Sequence, residues 1–231
     1  MIKIGYAGGL GGYIPDRDGN RASSLKRFVS SWVWTYQVDN IDHRTRSGYF
    51  LLKGLRLLKD RIPDLSQRLC VHLWGKIDPA NQEQRRALDL GDVVAISGYM
   101  SRAESAAELE TCDILFLPLE VSKAGQPPLF IPSKLYEYLR IGKPILALVD
   151  PASDCAEILR RSNLGVITSP FDTAEVARSI EMLLENEDRL GACYEPDWDY
   201  LNQYRYDAIT GRMAALFDEV AARSGRKSSK V

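Results

Sequence analysis

Short apolar runs rich in β-branched residues alternate with segments of helical period from Met1 to about Glu185. That alternation is the pattern of repeated βα units, and it predicts a parallel sheet with helices packed on its faces. The strand candidates lie at residues 2–7, 69–74, 93–97, 114–117, 145–149 and 166–168. Their near-continuous apolarity suits strands covered on both sides. Between them, Leu51, Leu55 and Leu58, and later Val176, Ile180, Leu183 and Leu184, recur at three- and four-residue spacing. Ser101 with Glu104, and Asp172 with Glu175, have the spacing of capping boxes, which satisfy the free amides of a first helical turn.

The fold class expected is therefore α/β: a single Rossmann-like domain over residues 1–222, its parallel sheet flanked by helices. Residues 13–46 break the alternation and read as an insertion after the first strand. Phe28, Trp32, Trp34 and Tyr36 lie in it without a clean period. The readings that stand side by side are a small subdomain covering apolar surface, and a lid or a peripheral membrane contact through residues 26–36, where Lys26 and Arg27 neighbour Trp32 and Trp34. A last helix at 206–222 carries Ile209, Met213, Leu216 and Val220 on one stripe, and it is expected to dock back onto the domain. The polar, basic tail at 223–231 is expected to be disordered.

Charge and composition remove several classes. Thirty Lys+Arg against 31 Asp+Glu leave a net charge of -1, so the electrostatic footprint of a dedicated nucleic-acid binder is absent. Apolar runs are strand-sized, and no charged-then-apolar leader opens the sequence. A cytoplasmic location is expected, with the inner face of the membrane as the place of any membrane contact. Cys70, Cys112, Cys155 and Cys193 are widely spaced and only His43 and His72 are present; no zinc spacing or disulfide framework results. The cysteines read as buried thiols, the histidines as structural, and no metal is expected.

Two constellations can carry chemistry. Gly8-Gly9-Leu10-Gly11-Gly12 follows the first strand directly, where glycines let backbone approach a phosphate and offer amides to it. The dinucleotide fingerprint is not met, because position 14 is Ile14, and no Gly-x-x-x-x-Gly-Lys-Ser/Thr run occurs. A flexible turn into the insertion is the plainer alternative. The second constellation runs from Pro132 to Pro144 as a helix start, a short helix, a Gly142 stop and a strand. Ser133 is expected to cap that helix, with Lys134 adding a full charge at the positive end of the helix dipole. Glu137 sits one turn further in, placed to accept two hydroxyls such as a ribose offers. Its alternative role is a surface ion pair with Arg140 or Lys143.

Residues 131–149, IPSKLYEYLRIGKPILALV, resemble the donor-site segment of the retaining glycosyltransferases of the GT-B fold, family four in particular. The order of strand, Gly75, polar helix, a strand ending in Gly98-Tyr99, capped helix and 112–118 is similar to that family's carboxy-terminal domain. The resemblance implies one half of a GT-B fold holding a nucleotide-diphosphate sugar as donor substrate, with no cofactor. Glu137 would hold the ribose hydroxyls. Ser133 and Lys134, with Gly8, Gly9, Gly11 and Gly12, would surround the diphosphate, and the backbone at Tyr99 and Met100 would meet the base. Two departures accompany it. Leu129 stands where a second glutamate often contacts the sugar, with Glu120 or Gln126 as substitutes, and basic residues expected soon after the first strand are displaced, Arg17, Arg21 and Lys26 being candidates.

The function implied is transfer of a hexose from the nucleotide sugar to an unknown acceptor in polysaccharide or glycoconjugate synthesis. The acceptor-binding domain or subunit is expected as a partner, and no catalytic residue is assigned. A non-catalytic nucleotide-binding module, a donor subunit needing a separate acceptor partner, and a nucleotide-sugar epimerase of the same architecture remain as alternatives.

Overall fold

A computed structural model describes residues 1–12, 41–122 and 130–228. The strands are β1 (Ile2–Ala7), β2 (Ile41–Asp42), β3 (Leu69–Trp74), β4 (Val94–Ser97), β5 (Ile114–Pro118), β6 (Val121–Ser122), β7 (Ile145–Leu148) and β8 (Gly165–Thr168). Six of them form one parallel sheet in the order β4-β3-β1-β5-β7-β8. The chain thus walks outward from β1 in one direction, returns, and walks outward in the other. This is the doubly wound order, and its switch point falls between β1 and β5.

Successive residues of each strand feed opposite apolar layers. Ile114 and Phe116 of β5 join one core while Leu115 and Leu117 join the other; β7 divides likewise, Leu146 and Leu148 against Ile145 and Ala147. The first layer is covered by the Tyr49–Arg61 and Thr173–Glu185 helices through Leu51, Leu55, Leu58, Val176, Ile180 and Leu183. The second is covered by Ser133–Ile141 and Asp154–Arg161 through Leu135, Tyr138, Leu139, Cys155 and Leu159. Double coverage is what makes the strands continuous in apolarity, and the expected and observed strand bounds differ by no more than a residue.

Capping chemistry is as expected at the Arg102–Glu110 helix, where Ser101 and Glu104 exchange both hydrogen bonds of the box. Asp172 accepts from the Glu175 amide at 2.8 Å. Three expectations need correction. The C-terminal helix, Tyr206–Ser228, does not bury its stripe: Met213, Leu216, Phe217 and Val220 are 50–63% exposed. Its described tether to the domain is at its start, where Arg212 donates to the Gln203 carbonyl at 2.9 Å. The tail expected from residue 223 is helical as far as Ser228. Cys112 and Cys155 are buried, but Cys70 is only partly so and Cys193 is exposed, since it ends a short surface helix instead of facing a layer.

Among the described residues no helix is long and apolar enough to cross a membrane. Residues 26–36, Arg17, Arg21, Gln126 and Leu129 lie outside the described residues.

Candidate functional site

At the switch point, the Gly8–Gly12 turn leaves the carboxyl end of β1 and is pinned along its length. Gly8 donates to the Trp74 carbonyl at 2.9 Å, Leu10 to Lys76 at 3.2 Å and Gly11 to Arg46 at 3.1 Å. Three of the five amides are therefore spent on the scaffold, and among the described residues those of Gly9 and Gly12 make no backbone hydrogen bond. Buried Asn81 organises the turn from beneath. Its amide donates to the Gly11 carbonyl at 3.1 Å, and its oxygen accepts from Gly48 at the start of the next helix at 2.8 Å.

The Ser133–Ile141 helix points its amino end at this turn. Pro132, not Ser133, occupies the cap position, and no side chain caps the helix. The proline ring fixes φ near its observed -73°, its carbonyl accepts from Leu135, and Ser133 becomes the exposed first helical residue. The amides of Ser133 and Lys134 have no intrahelical acceptor by construction. Gly142 closes the helix in the left-handed conformation at φ 73°.

Lys134 is the point where helix and turn meet. Its Nζ donates to the Ala7 carbonyl, lies 4.9 Å from the centre of the Tyr6 ring, and would stand 2.7 Å from a Cβ placed on Gly8. A side chain at position 8 would therefore collide with the ammonium group. Burial pushes the Lys134 pKa down, and the nearby Glu137 carboxylate partly offsets it. Burial also raises the Tyr6 phenol to about 12 against the opposing charge of Arg46, so this hydroxyl stays a donor, to the Gly9 carbonyl at 2.6 Å.

Glu137 is half exposed on the same helix, one turn from Lys134. Its pairing with Arg140 or Lys143 is not formed: Arg140 faces Glu110 at 3.3 Å, and Lys143 donates to the Glu110 and Cys112 carbonyls. Glu137 instead looks across at Arg102, 3.9 Å away. Arg102 opens the helix that follows Tyr99 and Met100, so the carboxylate faces the segment expected to meet the base. Tyr99 is 86% exposed there, while Met100 packs partly against the second layer. His72 does not enter this site; it stacks on Trp74 and its Nε2 shares a hydrogen bond with the Ser97 hydroxyl at 2.8 Å.

Arg46 was not singled out among the site residues and belongs beside them. Its carbonyl holds Gly11, its charge is felt at Tyr6, and its guanidinium reaches Glu120 at 3.2 Å. The short antiparallel pairing of β2 with β6 brings it there, helped by Thr45, whose hydroxyl accepts from the Val121 amide at 2.9 Å.

Strand order and the doubly covered sheet define a Rossmann-like domain, one half of a GT-B fold, with the glycine turn and the Lys134 end of a helix meeting at its switch point. A family model for glycosyl transferases group 1 matches residues 47–186, and the chain belongs to that family. It is 31% identical over 88 residues to the probable glycosyltransferase WbjE of Pseudomonas aeruginosa, an alignment covering 38% of this chain and 21% of that protein. Sucrose-phosphate synthase from Thermosynechococcus elongatus shares the fold with a TM-score of 0.54 at 19% identity, over 74% of this chain and 42% of that one. The α,α-trehalose 6-phosphate synthase from Burkholderia multivorans gives 0.54 at 14% identity, over 78% and 41%. This chain thus spans less than half the length of these relatives.

Proposed function

We propose that this chain is the donor-binding half of a glycosyltransferase that takes a hexose from a nucleotide-diphosphate sugar, with the acceptor side supplied by a separate domain or subunit. The observation that carries the reading is the convergence on one short helix: Lys134 against the glycine turn, and Glu137 one turn on, facing the segment after Tyr99 and Met100. An extended ligand with a diphosphate at one end of this line, a ribose in the middle and a base beyond fits the order of the groups.

In the reaction, an acceptor oxygen forms a bond to the anomeric carbon, and the bond from that carbon to the diphosphate oxygen breaks. The diphosphate leaves with the electron pair, and the acceptor's proton goes to a base outside the groups assigned here. Lys134, Arg46, the free amides of Ser133 and Lys134 and those of Gly9 and Gly12 face the growing negative charge. Such preorganised donors are worth most in a partly dry site, which the burial of Lys134 provides.

Isothermal titration with UDP, GDP and ADP tests the reading. One of them is expected to bind saturably, and Glu137→Ala to weaken it by about 1.5–3 kcal/mol, the range for hydrogen bonds to a charged group. Equal affinity in the variant would remove the ribose from Glu137; no binding by any of the three would remove the ligand class.

A further inference from the structure

Resting on that reading, we propose that Glu120 is an internal stand-in for the ligand's phosphate: it holds the Arg46 guanidinium while the crevice is empty and surrenders it to the diphosphate on binding. Both residues sit where this exchange needs only side-chain motion. The Arg46 backbone is held by Gly11 through its carbonyl. Glu120 is fixed between Leu119, whose amide donates to the Leu148 carbonyl at 3.0 Å, and Val121, whose amide donates to the Thr45 hydroxyl. The ribbon pairing Ile41 with Ser122 and Asp42 with Val121 ties the two segments together.

The contact itself is of the exchangeable kind. Arg46 and Glu120 make one hydrogen bond at 3.2 Å, with side chains 55% and 25% exposed. Nearby Asp42 and Arg44 show the contrasting geometry: the Arg44 guanidinium grips both oxygens of a buried carboxylate at 2.6–3.1 Å. A half-exposed single-point pair contributes little and is easily out-competed by a diphosphate, which carries two negative charges and several acceptor oxygens. Glu120 therefore keeps the Arg46 side chain ordered until a ligand takes it, at a small expense in affinity.

The test is a double-mutant cycle on the whole chain, titrated at low salt with whichever of UDP, GDP and ADP the wild type binds. Glu120→Gln is expected to tighten binding roughly two- to five-fold, the span an exposed ion pair can withhold. Arg46→Gln is expected to weaken it roughly ten-fold or more, and Glu120→Gln should then have no further effect in the Arg46→Gln background. The gain in Glu120→Gln should also shrink as sodium chloride is added, since screening weakens the competitor first. Unfolding curves for each variant identify any loss that comes from the ribbon alone, and Glu120→Ala should move affinity in the same direction as Glu120→Gln. Unchanged or weaker binding in folded Glu120 variants would overturn the stand-in role while leaving the ligand reading intact. Absence of diphosphate binding by the wild type would overturn both.

Discussion

Gly75→Ala is expected to destabilise the domain by about 3–5 kcal/mol, at the upper end for a single substitution, and to weaken ligand binding in the molecules that still fold. Gly75 follows β3 with φ at 117°, a conformation that side chains resist. A Cβ there would be driven into the carbonyl of Gly8, with the Gly8 carbonyl carbon at 3.0 Å and its nitrogen at 3.1 Å. The obstacle is backbone, so no rotamer change relieves it. Gly75 cannot easily retreat either, because its own amide donates to Gly98 at 3.0 Å and to Ser97 at 3.2 Å. Gly8 must shift, and Gly8 is the residue against which Lys134 is seated. Urea unfolding with an unchanged slope and a lower midpoint would show the stability effect. A loss below about 1 kcal/mol would mean that the two turns are not in the tight register described, since the strain at such a φ alone costs that much.

Lys134→Met should separate binding from stability. The apolar side chain keeps the length of the stem and removes the ammonium, so diphosphate affinity is expected to fall by about 1.5–3 kcal/mol. Stability should be unchanged or higher near neutral pH, because the variant no longer buries a charge, although the Ala7 carbonyl loses a donor. The pH dependence has a definite sign. Burial holds the folded-state pKa of Lys134 below its usual 10.5. Between the lowered value and 10.5 the unfolded chain binds more protons than the folded one, so wild-type stability rises with pH across that window. The advantage of the Met variant should shrink across the same interval. An arriving diphosphate favours the charged form and raises this pKa, so titrations in buffers of different ionisation enthalpy should report proton uptake within that window. A Met variant that binds as tightly as wild type would exclude Lys134 from the ligand.

The sheet was legible because strands covered on both faces have few polar positions to interrupt them, as in Ile145–Leu148. The glycine turn, Lys134 and Glu137 could likewise be picked out, since each depends on a short local pattern. Long-range closure was not legible. Arg46 stands far along the chain from Gly11, and two-residue strands such as β2 and β6 leave no periodic trace in the sequence. Asn81 was missed for a related reason: a single buried amide on a polar helix has nothing around it to mark it. At Ser133 the local rule misled, because the preceding proline took the cap position. Along the last helix, the spacing of Met213, Leu216 and Val220 correctly reports an apolar face, but periodicity cannot say what, if anything, lies against it.

The bond from Gly11 to the Arg46 carbonyl means that the chain leaves the glycine turn and comes back to it at Arg46. The closure is reinforced just before Arg46, where Ile41 and Asp42 pair with Ser122 and Val121. Doubling the length of such a closure costs only about 0.6 kcal/mol in closure entropy. The turn that Lys134 meets is thus braced by a segment more than thirty residues further along the chain, at little entropic cost.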